Sequence, residues 1–227
     1  MKTAGRLSPT WGTRLSKKLL FVLLIFSVTP SLAEQNAGYA ALGSTPYFGC
    51  ATCHGWSAEG SPAHKAPAIA GLDASYLLRQ LNAYANGQRG AHRDDHYGAQ
   101  MVLVARAYPE GMREQLANLI AALPAIDGVE SGEIYGNIEE GKVLYGSCAG
   151  CHGDAAQGNE SLNAPALNKF SQSYLQRQLH NYNNGIRGGP QSSNEDQMMS
   201  SLVQAILTKS SDIESVVAHI VSLNDEN

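Results

Sequence analysis

The chain has 227 residues, 16 Lys and Arg against 20 Asp and Glu, and a formal charge of −4. This acidic balance argues against nucleic acid as a partner. The length suits two small domains, each with only a thin core of its own.

Residues 1–33 have the layout of a secretion signal. Lys2, Arg6, Arg14, Lys17 and Lys18 form a basic region, Leu19 to Val28 an apolar stretch, and Ser31-Leu32-Ala33 a small-residue cleavage site, so that the mature chain starts at Glu34. The apolar stretch is shorter than the roughly 20 residues of a membrane span; the alternative is an uncleaved N-terminal anchor. Without the signal, 11 Lys and Arg face 20 Asp and Glu, a formal charge of −9. That charge favours a basic partner surface, or else an apolar docking contact. Export to a bacterial periplasm fits the cysteine chemistry.

Cys50-Ala51-Thr52-Cys53-His54 and Cys148-Ala149-Gly150-Cys151-His152 lie 98 residues apart and use all four cysteines. C-x-x-C-H is the attachment pattern of c-type haem. The two thiols add across the haem vinyl groups and the adjacent histidine lies under the iron. A zinc ribbon needs its paired knuckles about 15–20 residues apart, and a thioredoxin-like pair needs a βαβ setting. Disulfides leave His54 and His152 unexplained. The pattern therefore predicts two covalently bound haem c groups. Cys50 and Cys53 hold one, Cys148 and Cys151 the other, with His54 and His152 as proximal iron ligands.

Residues 50–101 laid over 148–199 without a gap match at 22 of 52 positions, where chance gives about three. The chain is therefore an internal repeat. In the first copy, Tyr76, Leu77, Leu81 and Tyr84 share one face of a predicted helix over Tyr76–Ala85. Asp73 is its N-cap, and Gly87 stops it after Asn86. Ser171 and Gly185 take those roles in the second copy. A helix precedes each haem motif, clearest over Glu139–Ser147, and another closes each half, over Met112–Leu123 and Asp212–Leu223. Neither half shows strand alternation. Pro124 to Asn137, with three glycines, has the composition of a connector. The expected organisation is all-α: a signal peptide at 1–33, a first domain at 34–124, a linker at 125–137 and a second domain at 138–227.

Four methionines follow the signal: Met101, Met112, Met198 and Met199. Met101 lies 47 residues after His54, and Met199 lies 47 after His152. The register selects these two as distal iron ligands, with Met198 one residue away as the alternative. A thioether in that position raises the reduction potential. Met112 is assigned to packing in the closing helix. His92 and His96 are the alternative ligands of the first iron, but Pro190 and Asn194 stand there in the second copy, so they read as solvated. His64, His180 and His219 have no repeat partner and read as surface or core residues. Pro67 and Pro165 follow the motif histidines by 13 residues, where a turn carbonyl can accept the ring N–H. Arg89, Arg187, Tyr76, Tyr84, Tyr174 and Tyr182 are candidates for binding haem propionates, the tyrosines equally for closing a core face.

On these residues the chain resembles the diheme cytochrome c4 family over 40–223. The resemblance rests on the doubled haem motif, Ala66-Pro67-Ala68 and its copy, the Tyr-Leu-x-Arg-Gln-Leu helix, the Asn-Gly-x-Arg-Gly loop, Met101 and Met199. It implies two tandem class I cytochrome c-like domains related by a pseudo-twofold axis, with propionates facing one another. It also implies that the chain carries electrons to a terminal oxidase or reductase, or to another periplasmic acceptor. The chain departs from the pattern at Trp56, where the second copy has Asp154, and in His92-Arg93-Asp94-Asp95-His96. The expected partners are redox proteins: a membrane oxidase or reductase, or a periplasmic dehydrogenase. No small-molecule substrate is expected, because an iron held by Met and His offers no open position, and the expected role is electron transfer, not catalysis. Two alternatives stand beside it. One is a diheme redox enzyme of peroxidase or thiosulfate-oxidising type, although a cysteine-ligated haem of the latter kind would need a fifth cysteine. The other is a dedicated electron-transfer subunit of a dehydrogenase.

Overall fold

A computed structural model describes residues 46–126 and 134–224. The expected export signal, the helix expected before the first haem motif and the middle of the connector lie outside these residues. The described residues form α1 (Phe48–His54), α2 (Ala74–Ala85), α3 (His96–Ala107) and α4 (Glu110–Ala121) in the first repeat. The second has α5 (Ile138–His152), a 3-10 turn (Glu160–Leu162), α6 (Gln172–Asn183), α7 (Asn194–Ile206) and α8 (Ser210–Ser222). Among the described residues, the only extended pairings are two isolated bridges, Ser61 with Ala66 and Asn159 with Ala164, at the same place in each repeat.

The helix starts follow capping chemistry. The Asp73 carboxylate accepts from the Tyr76 N–H at 2.6 Å and the Ser171 hydroxyl from the Tyr174 N–H at 3.4 Å, so α2 and α6 begin at the expected caps, slightly before the apolar pattern. Past their ends, Gly87 and Gly185 take φ of 74° and 68°, the left-handed turn that glycine adopts without strain. The helix expected at Glu139–Ser147 continues to His152 as α5. Its cysteines and histidine fall at i, i+3 and i+4, so a helix is what turns them to one side. The closing helices start two residues earlier than their apolar pattern, at Glu110 and Ser210.

Sequence periodicity did not reveal α3 and α7. Asp95 caps α3 by accepting from the Gly98 N–H at 2.9 Å, and Ser193 caps α7 by accepting from the Asp196 N–H at 3.2 Å.

In the first repeat α2 packs on α3 and α4; in the second, α8 packs on α5 and α6. Ile213, Val216 and Val217 of α8 are fully buried. Gly141 of α5 lies so close to the backbone of Ser215 in α8 that a Cβ would overlap its carbonyl. One continuous apolar cluster joins the repeats, from Leu77 and Leu116 through Phe170 and Tyr174 to Val217.

The repeats meet reciprocally. Arg79 Nη2 donates to the Asn163 carbonyl at 3.1 Å, and Arg177 Nη2 to the Lys65 carbonyl at 2.7 Å. Arg79 and Arg177 are repeat equivalents, as are Lys65 and Asn163, which share φ of 55° and 56°. These are the contacts of a pseudo-twofold axis.

Candidate functional site

Each haem motif opens onto a cavity with apolar walls. The first is lined by Cys50, Cys53, His54 and Met101, with Leu77 and Leu116 among its walls. The second is lined by Cys148, Cys151 and His152, with Met198, Met199 and Leu175. The four cysteines are unbridged. Burial, then the neighbouring cysteine of the pair, pushes the Cys50 and Cys148 thiols up to about 11.

His54 and His152 are buried. Each shares a hydrogen bond of 2.9 Å between Nδ1 and the carbonyl of Pro67 or Pro165. With the carbonyl as acceptor, Nδ1 carries the proton and Nε2 keeps its lone pair for a metal. Burial lowers both imidazoles against the opposing effect of that hydrogen bond, so they stay neutral, the form that ligates. Behind each motif a buried tyrosine clamps the turn: Tyr47 donates to the Gly55 carbonyl at 2.8 Å, Tyr145 to that of Gly153 at 2.7 Å.

Met101 and Met199 are half-buried and pack against the core, whereas Met198 is 65% exposed. His92 and His96 are exposed and line neither cavity. Met112 packs against the core in α4. His64 is exposed beside the Ser61 hydroxyl, His180 is half-buried, and His219 is buried with its ring 5.4 Å from that of Tyr145.

The two cavities share a wall: Tyr76, Gln80, Phe170, Tyr174 and Gln178 line both. Arg89 donates from Nη1 to Gln80 at 2.6 Å, and from Nη2 to Gln178 at 2.8 Å and to Tyr174 Oη at 3.0 Å. Arg187 donates to Gln178 at 2.9 Å and to Gln80 at 3.1 Å. Gln80 and Gln178, each accepting from an arginine of either repeat, were not singled out in the sequence, although the repeat register pairs them. Asp196 was also missed: it accepts from Arg187 Nη2 at 2.9 Å and from the Tyr182 hydroxyl. Burial favours its neutral form, but the Arg187 charge, the Tyr182 hydroxyl and the Arg89 charge together outweigh this and keep the carboxyl below its ordinary value.

A haem fits these cavities. Apolar walls match the porphyrin, and two thiols, an imidazole and a thioether are all in each lining. The buried Nε atoms of Arg89 and Arg177 lack an acceptor among the described residues, which propionate carboxylates would supply. The geometry, present twice, defines a tandem class I c-type cytochrome.

Comparison with known proteins agrees. The cytochrome c family model matches twice, at residues 40–122 and 138–224. A thiosulfate dehydrogenase electron acceptor of Stutzerimonas stutzeri is 30% identical over 174 residues, covering 72% of this chain and 77% of that protein. Cytochrome c4 of Pseudomonas aeruginosa is 28% identical over 218 residues, 91% of this chain and 99% of that one. The cytochrome c4 structure of Acidithiobacillus ferrooxidans superposes with a TM-score of 0.62 at 25% identity, over 76% of this chain and 98% of that one. The chain belongs to the cytochrome c family, with the family's domain present twice, and is similar to the diheme cytochromes c4. It carries two covalently bound haem c groups and transfers electrons between redox partners.

Proposed function

We propose that the protein is a periplasmic shuttle that takes an electron at one haem and gives it up at the other, without catalysis of its own. The observation that carries this reading is the shared wall of Tyr76, Gln80, Phe170, Tyr174 and Gln178, which sets the two sites against each other inside one fold. In this reading Cys50 and Cys53 hold the first group, with His54 and Met101 as iron ligands. Cys148, Cys151, His152 and Met199 do the same for the second. The bound groups supply reversible one-electron chemistry. The protein keeps both histidines neutral and oriented, excludes water with apolar walls and places buried donors for the propionates. The domains are proposed at 34–124 and 138–227 after removal of the signal at 1–33. Among the described residues no helix is long and apolar enough to cross a membrane.

Spectra of the purified protein test this. Both haems should be six-coordinate and low-spin, with negligible peroxide or thiosulfate turnover. A high-spin haem with rapid turnover of either substrate would overturn the carrier reading in favour of an enzyme. The partners are proposed to be a periplasmic dehydrogenase as donor and a membrane oxidase or reductase as acceptor. With a mature charge of −9, exchange with a basic partner should slow as salt rises, since the field reaches only about 10 Å at 0.1 M.

A second reading is a dedicated acceptor for one enzyme. It is favoured by the relative at 30% identity, which is named as an electron acceptor of thiosulfate dehydrogenase. Reduction by a thiosulfate dehydrogenase much faster than by other periplasmic donors would select it.

A further inference from the structure

The two sites are copies of one repeat, but they do not carry the same charge. At the second site both interface arginines have a carboxylate. Arg187 is ion-paired to buried Asp196 at 2.9 Å. Arg79 lies in the field of Glu195, whose Oε1 accepts from Asn163 Nδ2 at 3.1 Å. At the first site the register places Tyr97 and Gly98 where Glu195 and Asp196 stand. Arg177 therefore stacks over the Tyr97 ring, 4.8 Å from its centroid, and Arg89 donates to neutral Gln80, Gln178 and Tyr174.

Two further departures bear on the balance. Lys65 lines the first site where Asn163 lines the second. Asp95 lines the first site where the second repeat has Ser193, and its Oδ1 accepts from the Gly98 N–H. Counting Lys, Arg, Asp and Glu, the first lining holds three cations and one anion, and the second two of each.

Reduction adds one negative charge to a site, and a more positive surrounding binds it more tightly, most of all where burial limits solvent screening. We propose that this charge difference gives the first site the higher reduction potential, so that the electron of the half-reduced protein rests at Cys50–His54 and the second site passes electrons to it. The transfer moves one electron from the second site to the first, with no bond made or broken. The inference rests on the carrier reading above, in which each cavity holds a haem.

A redox titration of the purified two-haem protein, followed at the haem absorption bands, tests it. Wild type should give two waves. Asp196→Asn keeps the side-chain shape and removes the charge, so it should move the lower wave to more positive potential, and further than it moves the upper one. Should that variant fail to retain both haems, Glu195→Gln at an exposed position carries the same expectation. Lys65→Asn suits the left-handed backbone at φ 55° and should move the upper wave to more negative potential. The proposal is overturned if the carboxylate variants move the upper wave further than the lower or move neither wave, or if Lys65→Asn moves the lower wave further than the upper. A wild-type protein with a single haem would instead overturn the carrier reading, and this inference with it.

Discussion

The guanidinium of Arg177 reaches out of the second repeat to the backbone carbonyl of Lys65 in the first, 2.7 Å away. The same guanidinium covers the Tyr97 ring. A hydrogen bond from a charged donor contributes about 1.5–3 kcal/mol when buried, and solvent around this one reduces that. Arg177→Ala should therefore destabilise the protein by about 1–2 kcal/mol in denaturant unfolding. Arg79→Ala should cost less, because its bond to Asn163 is longer, at 3.1 Å. Equal effects would show that the bond length does not matter.

Met101→Ala and Met199→Ala should each abolish the methionine–iron charge-transfer band of one haem and lower that haem's potential. Met198→Ala should leave both haems unchanged, as its side chain is 65% exposed. If Met198→Ala removes the band and Met199→Ala does not, the 47-residue register is off by one.

Two glycines of α5 should respond oppositely to alanine. Gly141→Ala forces a Cβ into the Ser215 carbonyl, separating α5 from α8 and costing about 1–3 kcal/mol or more. Gly146 has open space at its Cβ, so Gly146→Ala should gain about 0.5–1 kcal/mol from helix propensity. Thermal melts of the two variants check the sign.

The caps of α2 and α6 should differ in pH dependence. Burial pushes the Asp73 carboxyl up, but hydrogen bonds with the Ser75 hydroxyl, the Tyr76 N–H and the Glu160 carboxyl, with the Arg79 charge, together outweigh it and leave the group below its ordinary value. Its folded pKa is thus depressed. The contribution is full above the unfolded value of about 3.9 and is lost as pH falls through the folded one. Asp73→Ala should cost about 1 kcal/mol at neutral pH and progressively less in acid. Ser171→Ala, with no titrating group, should show no such loss across the same range.

Much of the fold was visible in the sequence where a residue has one task. The caps Asp73 and Ser171, the stops Gly87 and Gly185 and the Pro67 and Pro165 carbonyls all stand where spacing placed them. The helices α3 and α7 were hidden because their apolar residues serve two surroundings. In α3, Met101 and Val104 line the cavity while Val102 and Ala105 are buried. The helix thus lacks the single clear stripe that periodicity detects. The N-cap residues Asp95 and Ser193 were the available signal. Asp196 was hidden for a different reason. Matching the repeats draws attention to identities, and this site depends on a difference, Gly98 against Asp196.

When position i of one half meets position j of the other, and j meets i in return, the contact has the self-complementary form of a twofold homodimer. Arg79 with Asn163 and Arg177 with Lys65 have that form. Two separate copies would assemble in this way only when concentrated. A covalent connector instead holds the halves at an effective concentration that does not fall on dilution. The pairing therefore survives any dilution, and each copy is free to acquire substitutions that a symmetric pair would have to accept on both sides at once.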